Sequence, residues 1–345
     1  MKILNPDLLE TIYNSKKETA LFGKWIHYAH ISPLFAKLTV KLTSSIIGHS
    51  ENNVPIHSVK FGSGAKKILI WTQMHGNEST GTKALFDFLN CISSSEDSIF
   101  ATILMECTVL CIPMLNPDGS LNYTRVNAHQ IDLNRDAVDT KAIESKLLRS
   151  VLESFKPDYS FNLHDQRTIF GVAGTTNPAT ISFLAPSEEE TRKLTAGRKL
   201  TMNVIVSMHR LLQEIIPNHI GRYTDEFYPT ATGDNFQKLG FNTILIEAGH
   251  YKDDYDREVV RKFNFLALVQ GLFHIATASS YDEYLPYFEI PNNQKNFFDL
   301  IEKSLTTSEE KGYLYIDKVI NNQFITELKL EKEGDLSLFL SHSIK

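Results

Sequence analysis

The feature that most constrains this chain is a recurring unit in which a short apolar run stops at polar residues and gives way to a loop and a helical pattern. Lys67 to Gln73 is such a run, rich in β-branched and aromatic residues, and it predicts a strand. It ends in Met74-His75-Gly76-Asn77-Glu78. Ser79 or Thr80 can then cap a helix carrying Ala84, Leu85, Phe88 and Leu89 on one face. The unit recurs with an apolar strand from Thr108 to Met114 that ends at Pro117-Asp118-Gly119. A helix over Ile143 to Phe155 and a short strand from Tyr159 to Leu163 follow. Further on come a helical segment from Glu188 to Glu214, a strand from Thr243 to Ile246 that stops at Glu247, and a largely apolar helix from Asp256 to Ala278. Strands alternating with helices in this way predict an α/β protein, with a mixed, mostly parallel sheet covered by helices on both faces.

Beyond Ser280 the pattern changes to aromatic and charged residues. Short alternating runs follow, Tyr313 to Val319 and Phe324 to Leu330, which read as a small β-containing appendage. The 345 residues, 42% hydrophobic and 22% charged, suffice for a real core. A net charge of -6 argues against a nucleic-acid partner, which would call for a basic face. No apolar stretch approaches the ~18 residues of a membrane span. The first residues lack the apolar core of a secretion signal, so a cytoplasmic address is expected. Three cysteines, Cys91, Cys107 and Cys111, form no metal-binding or redox spacing and are expected to be small core residues.

In open α/β sheets, ligands gather beyond the carboxyl ends of the strands. His75, Glu78, His164 and Glu247 all fall at such ends. Catalytic zinc sites use three ligands drawn from histidines and carboxylates and keep a position for water. His75 and Glu78, three residues apart around a glycine that permits an unusual turn, offer two such ligands, and His164 is the natural third. An isolated pair of this kind occurs by chance in many chains, and most of the twelve histidines here carry no such context. Glu247 closes an apolar strand, where an ordinary exposed glutamate is out of place. A carboxylate there can serve as a general base toward an attacking water.

The stretch Asn116 to Asp136 sharpens this reading, because it holds N-P-D-G, T-R-V-N-A and D-L-N-R in sequence. Together with H-G-N-E before it and I-E-A-G after it, the ordered set resembles the zinc carboxypeptidase family, peptidase family M14, over roughly Ile56 to Ala278. The resemblance implies one zinc ion on His75, Glu78 and His164, with Glu247 as general base and Asp132 as the carboxylate behind His75. It implies that Arg125 polarises the scissile carbonyl, and that Arg135 with Asn134 grips the terminal carboxylate of a peptide or peptide-like substrate. A mobile tyrosine of the family would be Tyr228 or Tyr223, with Tyr228 slightly preferred, and the specificity pocket would lie between Thr230 and Asn235. The expected organisation is an N-terminal helical or extended segment over 1–55, a catalytic domain over 56–278 and the appendage over 279–345. Two other readings compete: an amidohydrolase of N-acyl amino acids, like the aspartoacylase and succinylglutamate desuccinylase group, and a non-catalytic zinc-binding protein on the same fold.

Overall fold

The computed structural model describes residues 1–303 and 309–344. The helices are α1 (Pro6–Lys16), α2 (Tyr28–Phe35), α3 (Thr80–Ser94), α4 (Ser98–Glu106), α5 (Pro117–Asn122), α6 (Ile143–Phe155), α7 (Ala196–Ile215), α8 (Thr232–Lys238) and α9 (Glu258–Thr277). The strands that form the main sheet are β1 (Thr43–His49), β2 (Pro55–Phe61), β3 (Lys66–Thr72), β4 (Cys107–Ile112), β5 (Tyr159–Asp165), β7 (Ile181–Leu184), β8 (Ile220–Arg222) and β9 (Asn242–Ala248). A short ribbon pairs β6 (Phe170–Val172) with β10 (Asn293–Lys295). The C-terminal sheet contains β11 (Phe297–Lys303), β12 (Glu310–Ile320), β13 (Gln323–Gly334) and β14 (Leu340–Ile344).

The eight-stranded sheet has the order β1-β2-β4-β3-β5-β9-β7-β8. Its centre, β4-β3-β5-β9, is parallel, while β1, β2 and β7 join antiparallel toward the edges. Strand alternation builds two cores. Ile68 and Ile70 of β3, Phe161 and Leu163 of β5 and Ile244 and Ile246 of β9 point one way, into a large cluster with α1, α3, α4, α7 and α9. Leu69 and Trp71 point the other way and pack with Leu148 and Leu152 of α6 and Phe236 of α8. Helices therefore cover both faces, as the run of alternating elements predicts. All three cysteines are buried and free.

The N-terminal segment is tied down by a buried ion pair. Arg261 of α9 grips Asp87 of α3 with Nε and Nη2 at 2.7 and 2.6 Å, and its remaining donors reach the carbonyls of Glu18 and Leu21. The helix expected from Glu188 begins only at Ala196. The Thr195 hydroxyl accepts from the Arg198 amide and donates to Glu188, so the preceding acidic stretch forms a turn that Thr195 caps. Among the described residues no helix is long and apolar enough to cross a membrane.

Candidate active site

His75 and Glu78 lie on the loop between β3 and α3. Gln73 takes a left-handed conformation, φ 50°, and turns the chain out of the strand. Gly76 does not serve as the unusual turn itself. Its backbone lies directly against α5, and a Cβ at this position would stand 1.9 Å from the carbonyl carbon of Gly119. The glycine is required for close approach rather than for its dihedral freedom. The Glu78 amide then closes the turn onto the His75 carbonyl at 3.1 Å.

His164 and Glu247 come from the ladder of the sheet. They are directly opposed partners in the parallel pair β5 and β9, inside the last turns of the ladder rather than beyond it. Since Leu163 and Ile246 face the large core, His164 and Glu247 both face the other side, toward the β3–α3 loop. The structure thus brings His75, Glu78, His164 and Glu247 into one cavity of about 590 Å³.

The geometry within it is tight. Nδ1 of His75 and Nδ1 of His164 each lie 2.7 Å from a different oxygen of the Glu78 carboxylate. Three ligand atoms, one from each residue, lie within 4.8 Å of one another, all buried. On its far side His75 Nε2 is 3.0 Å from Asp132 Oδ1, and Asp132 also accepts the Asn134 amide at 2.9 Å, so it both braces the ring and caps the turn over Leu133–Arg135. Arg125 donates from Nε to Asp132 at 2.9 Å, and its Nη1 approaches His75 Nδ1 and Glu78 Oε1 at 3.2 and 3.4 Å.

This donor set fits a cation. A neutral imidazole has one N–H, yet His75 presents both ring nitrogens to carboxylates. With Nε2–H given to Asp132, the Nδ1 lone pair faces Glu78 and calls for a positive charge between them. Burial works against a charged His75, but the Glu78 carboxylate and the hydrogen bond to Asp132 outweigh it and hold its pKa up. Burial would raise Glu78 too, but the two imidazoles hold it well below the usual carboxylate range. His164 is pushed down by burial, which keeps it neutral and able to coordinate, and its Nε2 has no partner among the described residues. Glu247 behaves oppositely. Burial, then the charges of Glu78 and Asp165, push it well above the usual range, and among the described residues its side chain makes no hydrogen bond.

The remaining expected residues surround this centre. Asn134 and Arg135 line the cavity beside α8, where the Asn134 side-chain oxygen accepts the Thr232 amide at 3.0 Å. Arg135 has no carboxylate partner among the described residues and bonds only to the Asn134 carbonyl. Tyr223 and Tyr228 both line the cavity. Tyr223 stacks edge-on against Phe170, and burial followed by the nearby Glu247 charge raises its hydroxyl, whereas Tyr228 is exposed and donates to Glu226. From the expected pocket segment, Ala231 and Asp234 reach the cavity, and burial lifts Asp234 to about 6.

Several lining residues carry no signal in the sequence. Arg257, left-handed at the start of α9, donates to the carbonyls of Ala248 and Gln166 and so ties the tips of β9 and β5 together. Lys24, Tyr123, Tyr255 and residues 314–317 of β12 complete the wall. Lys24 and β12 lie far from the motifs along the chain, whereas Tyr123 and Tyr255 stand close to T-R-V-N-A and I-E-A-G without belonging to either motif.

A mixed α/β sheet with two histidines and a glutamate converging at its carboxyl edge defines a protein able to hold one metal ion. The model of the zinc carboxypeptidase family matches residues 35–213, and the chain belongs to that family. A probable carboxypeptidase 2 of Trichophyton verrucosum is 25% identical over 103 residues, which cover 29% of this chain and 20% of that protein. Carboxypeptidase SOL1 of Arabidopsis thaliana is 26% identical over 168 residues, 43% of this chain and 34% of that protein. The chain thus spans about a fifth to a third of the length of these relatives. The fold is that of a metallo-carboxypeptidase from Burkholderia cenocepacia, with TM-score 0.58, 16% identity and 71% and 68% of the two chains covered. It is also that of thrombin activatable fibrinolysis inhibitor, with TM-score 0.58, 14% identity and 78% and 80% covered.

Proposed function

We propose that this protein is a zinc metallocarboxypeptidase that removes a C-terminal residue from a peptide or peptide-like amide. The observation that carries the reading is the opposition of His164 and Glu247 across one rung of the sheet, next to the His75–Glu78 pair. It sets a raised, unpartnered carboxyl beside a set of metal donors.

In this reading His75, Glu78 and His164 hold the ion. Zinc bound there supplies electrophilic polarisation and makes a water more acidic. Glu247 accepts a proton from the water as its oxygen attacks the scissile carbonyl, and then delivers that proton to the nitrogen of the departing amine. The elevated affinity of its carboxyl for protons suits the second half of the task. Arg125 reaches the donor set from the side and donates hydrogen bonds to the oxygen that becomes negative as the carbonyl turns tetrahedral. Arg135, free of carboxylate partners among the described residues, offers a two-pronged grip on the terminal carboxylate, with the Asn134 amide beside it. Tyr228 and Tyr223 line the space such a substrate would fill. The motif order supports a catalytic unit over 56–278, to which the 1–55 segment adds the edge strand β1 and 279–345 adds the C-terminal sheet.

The test is a panel of blocked peptides and N-acyl amino acids incubated with zinc-loaded protein and read by mass spectrometry. Release of single C-terminal residues is expected. Hydrolysis of acyl amino acids without cleavage of any peptide would move the protein to the amidohydrolase reading. Zinc binding with no turnover of either would leave a binding protein.

A further inference from the structure

The C-terminal sheet is not a remote appendage. Residues 314–317 of β12 line the same cavity as His75, Glu78, His164 and Glu247. The lining side chains divide by what they are bonded to. Asn134 and Asp234 belong with the start of α8, through the Thr232 and Tyr228 amides, and Arg135 joins them through the Asn134 carbonyl. Lys24, Tyr123 and Tyr255 belong with the C-terminal sheet. Lys24 pairs with Asp317 of β12, Tyr123 meets Phe324 of β13 edge-on at 4.9 Å, and Tyr255 meets Tyr315 edge-on at 5.0 Å. The metal donors share the cavity with both groups.

The wall is also fastened from behind. Asp299 of β11 is fully buried, and its carboxylate accepts the Tyr255 hydroxyl at 3.1 Å, the Thr168 hydroxyl at 3.1 Å and the Tyr315 amide at 2.8 Å. One side chain thus joins the loop after β5, the loop after β9 and strand β12. His342 of β14 adds a contact to the Thr168 carbonyl at 2.9 Å. A loose hairpin would yield to a long substrate; a strand anchored at these points does not.

We propose that β12, through Tyr315, Ile316 and the Lys24–Asp317 pair, is the upstream wall of the substrate cleft and restricts the enzyme to short oligopeptides. The inference rests on the carboxypeptidase reading. With the terminal carboxylate on Arg135 and the scissile bond at the metal donors, the residues before that bond run toward β12. A cavity of about 590 Å³ matches a ligand of drug-like size, in the usual range of ~300–1,000 Å³. An extended chain advances ~3.3–3.6 Å per residue, so a long peptide meets the wall within a few residues. Tyr315 and Ile316 are each 37% exposed, so the wall offers apolar surface to the residues it does admit.

The experiment compares kcat/KM on N-blocked peptides of three and ten residues that share the same C-terminal pair. Wild-type protein is expected to favour the short peptide by at least about tenfold. The double variant Tyr315→Ala, Ile316→Ala should narrow that ratio by a similar factor. Both positions are partly exposed, and an unchanged melting temperature would establish that the variant folds. Lys332→Ala on the outer strand β13 should leave the ratio where it was. Equal cleavage of both lengths by wild-type protein, or a ratio indifferent to the double variant, overturns the wall and leaves the peptidase reading intact. No cleavage of either peptide by zinc-loaded protein overturns the peptidase reading, and the length limit with it.

Discussion

At the scale of single residues, the site depends on how charge is shared among a few buried groups. Burial and two neighbouring carboxylates oppose the ionisation of Glu247 more than Arg125 and Arg257 favour it, and among the described residues its side chain makes no hydrogen bond that the uncharged amide would lose. Glu247→Gln is therefore expected to keep zinc and the fold while kcat falls by about 10²–10⁴, the usual contribution of a positioned base. Metal content measured beside peptide turnover checks this, and full activity in the variant would remove Glu247 from the reaction. On the proposed reading, Asp132 acts one step back from the metal. It fixes the His75 ring and holds Arg125 with its second oxygen, so Asp132→Asn should weaken zinc affinity by about 10- to 100-fold. Competition with a chromogenic chelator measures that change; an unaltered affinity would mean that the turn alone, not the ring, uses this carboxylate.

At the scale of elements, the site was legible where chemistry and strand ends coincide. The H-G-N-E loop, the two strand ends and the N-P-D-G to D-L-N-R stretch all point to residues that the sheet does assemble. Sequence periodicity could not show why Gly76 is there. Its need arises from α5, an element more than forty residues away, pressing on the loop. Gly76→Ala should displace that contact at a cost of about 1–3 kcal/mol, read by urea denaturation. It should lower zinc affinity at the same time, since His75 is its neighbour. Wild-type stability in that variant would show that the two backbones can part without penalty. The late start of α7 was equally hidden, because a helical pattern does not reveal that Thr195 will cap it. The buried pair of Asp87 and Arg261 couples α3 to α9 and to the N-terminal segment. Asp87→Ala removes the bidentate partner of the buried Arg261 guanidinium and leaves it one carboxylate, Glu258 at 3.1 Å, so a cost of up to about 3–5 kcal/mol in chemical denaturation is expected. A loss below about 1 kcal/mol would mean that Glu258 and the N-terminal carbonyls satisfy Arg261 without Asp87.

At the scale of the whole molecule, the metal donors span β3, β5 and their loops, so occupancy should be felt throughout. A ligand bound only by the folded state, at a thousandfold excess over its Kd, adds about 4 kcal/mol of stability. Dialysis against a chelator should lower the melting temperature, and zinc should restore it. Identical melting curves for the treated and reloaded protein would argue against a metal at this trio. The C-terminal strands, which look in sequence like an independent add-on, share Asp299 with the loops that flank the donors. That arrangement has a temporal side. A ribosome releases the histidines and glutamates of the centre well before it makes β12, so the growing polypeptide would own its reactive groups while one side of the groove still lay open. Selectivity would then arrive after reactivity during synthesis, and a break before β12 would forfeit the one while sparing the other.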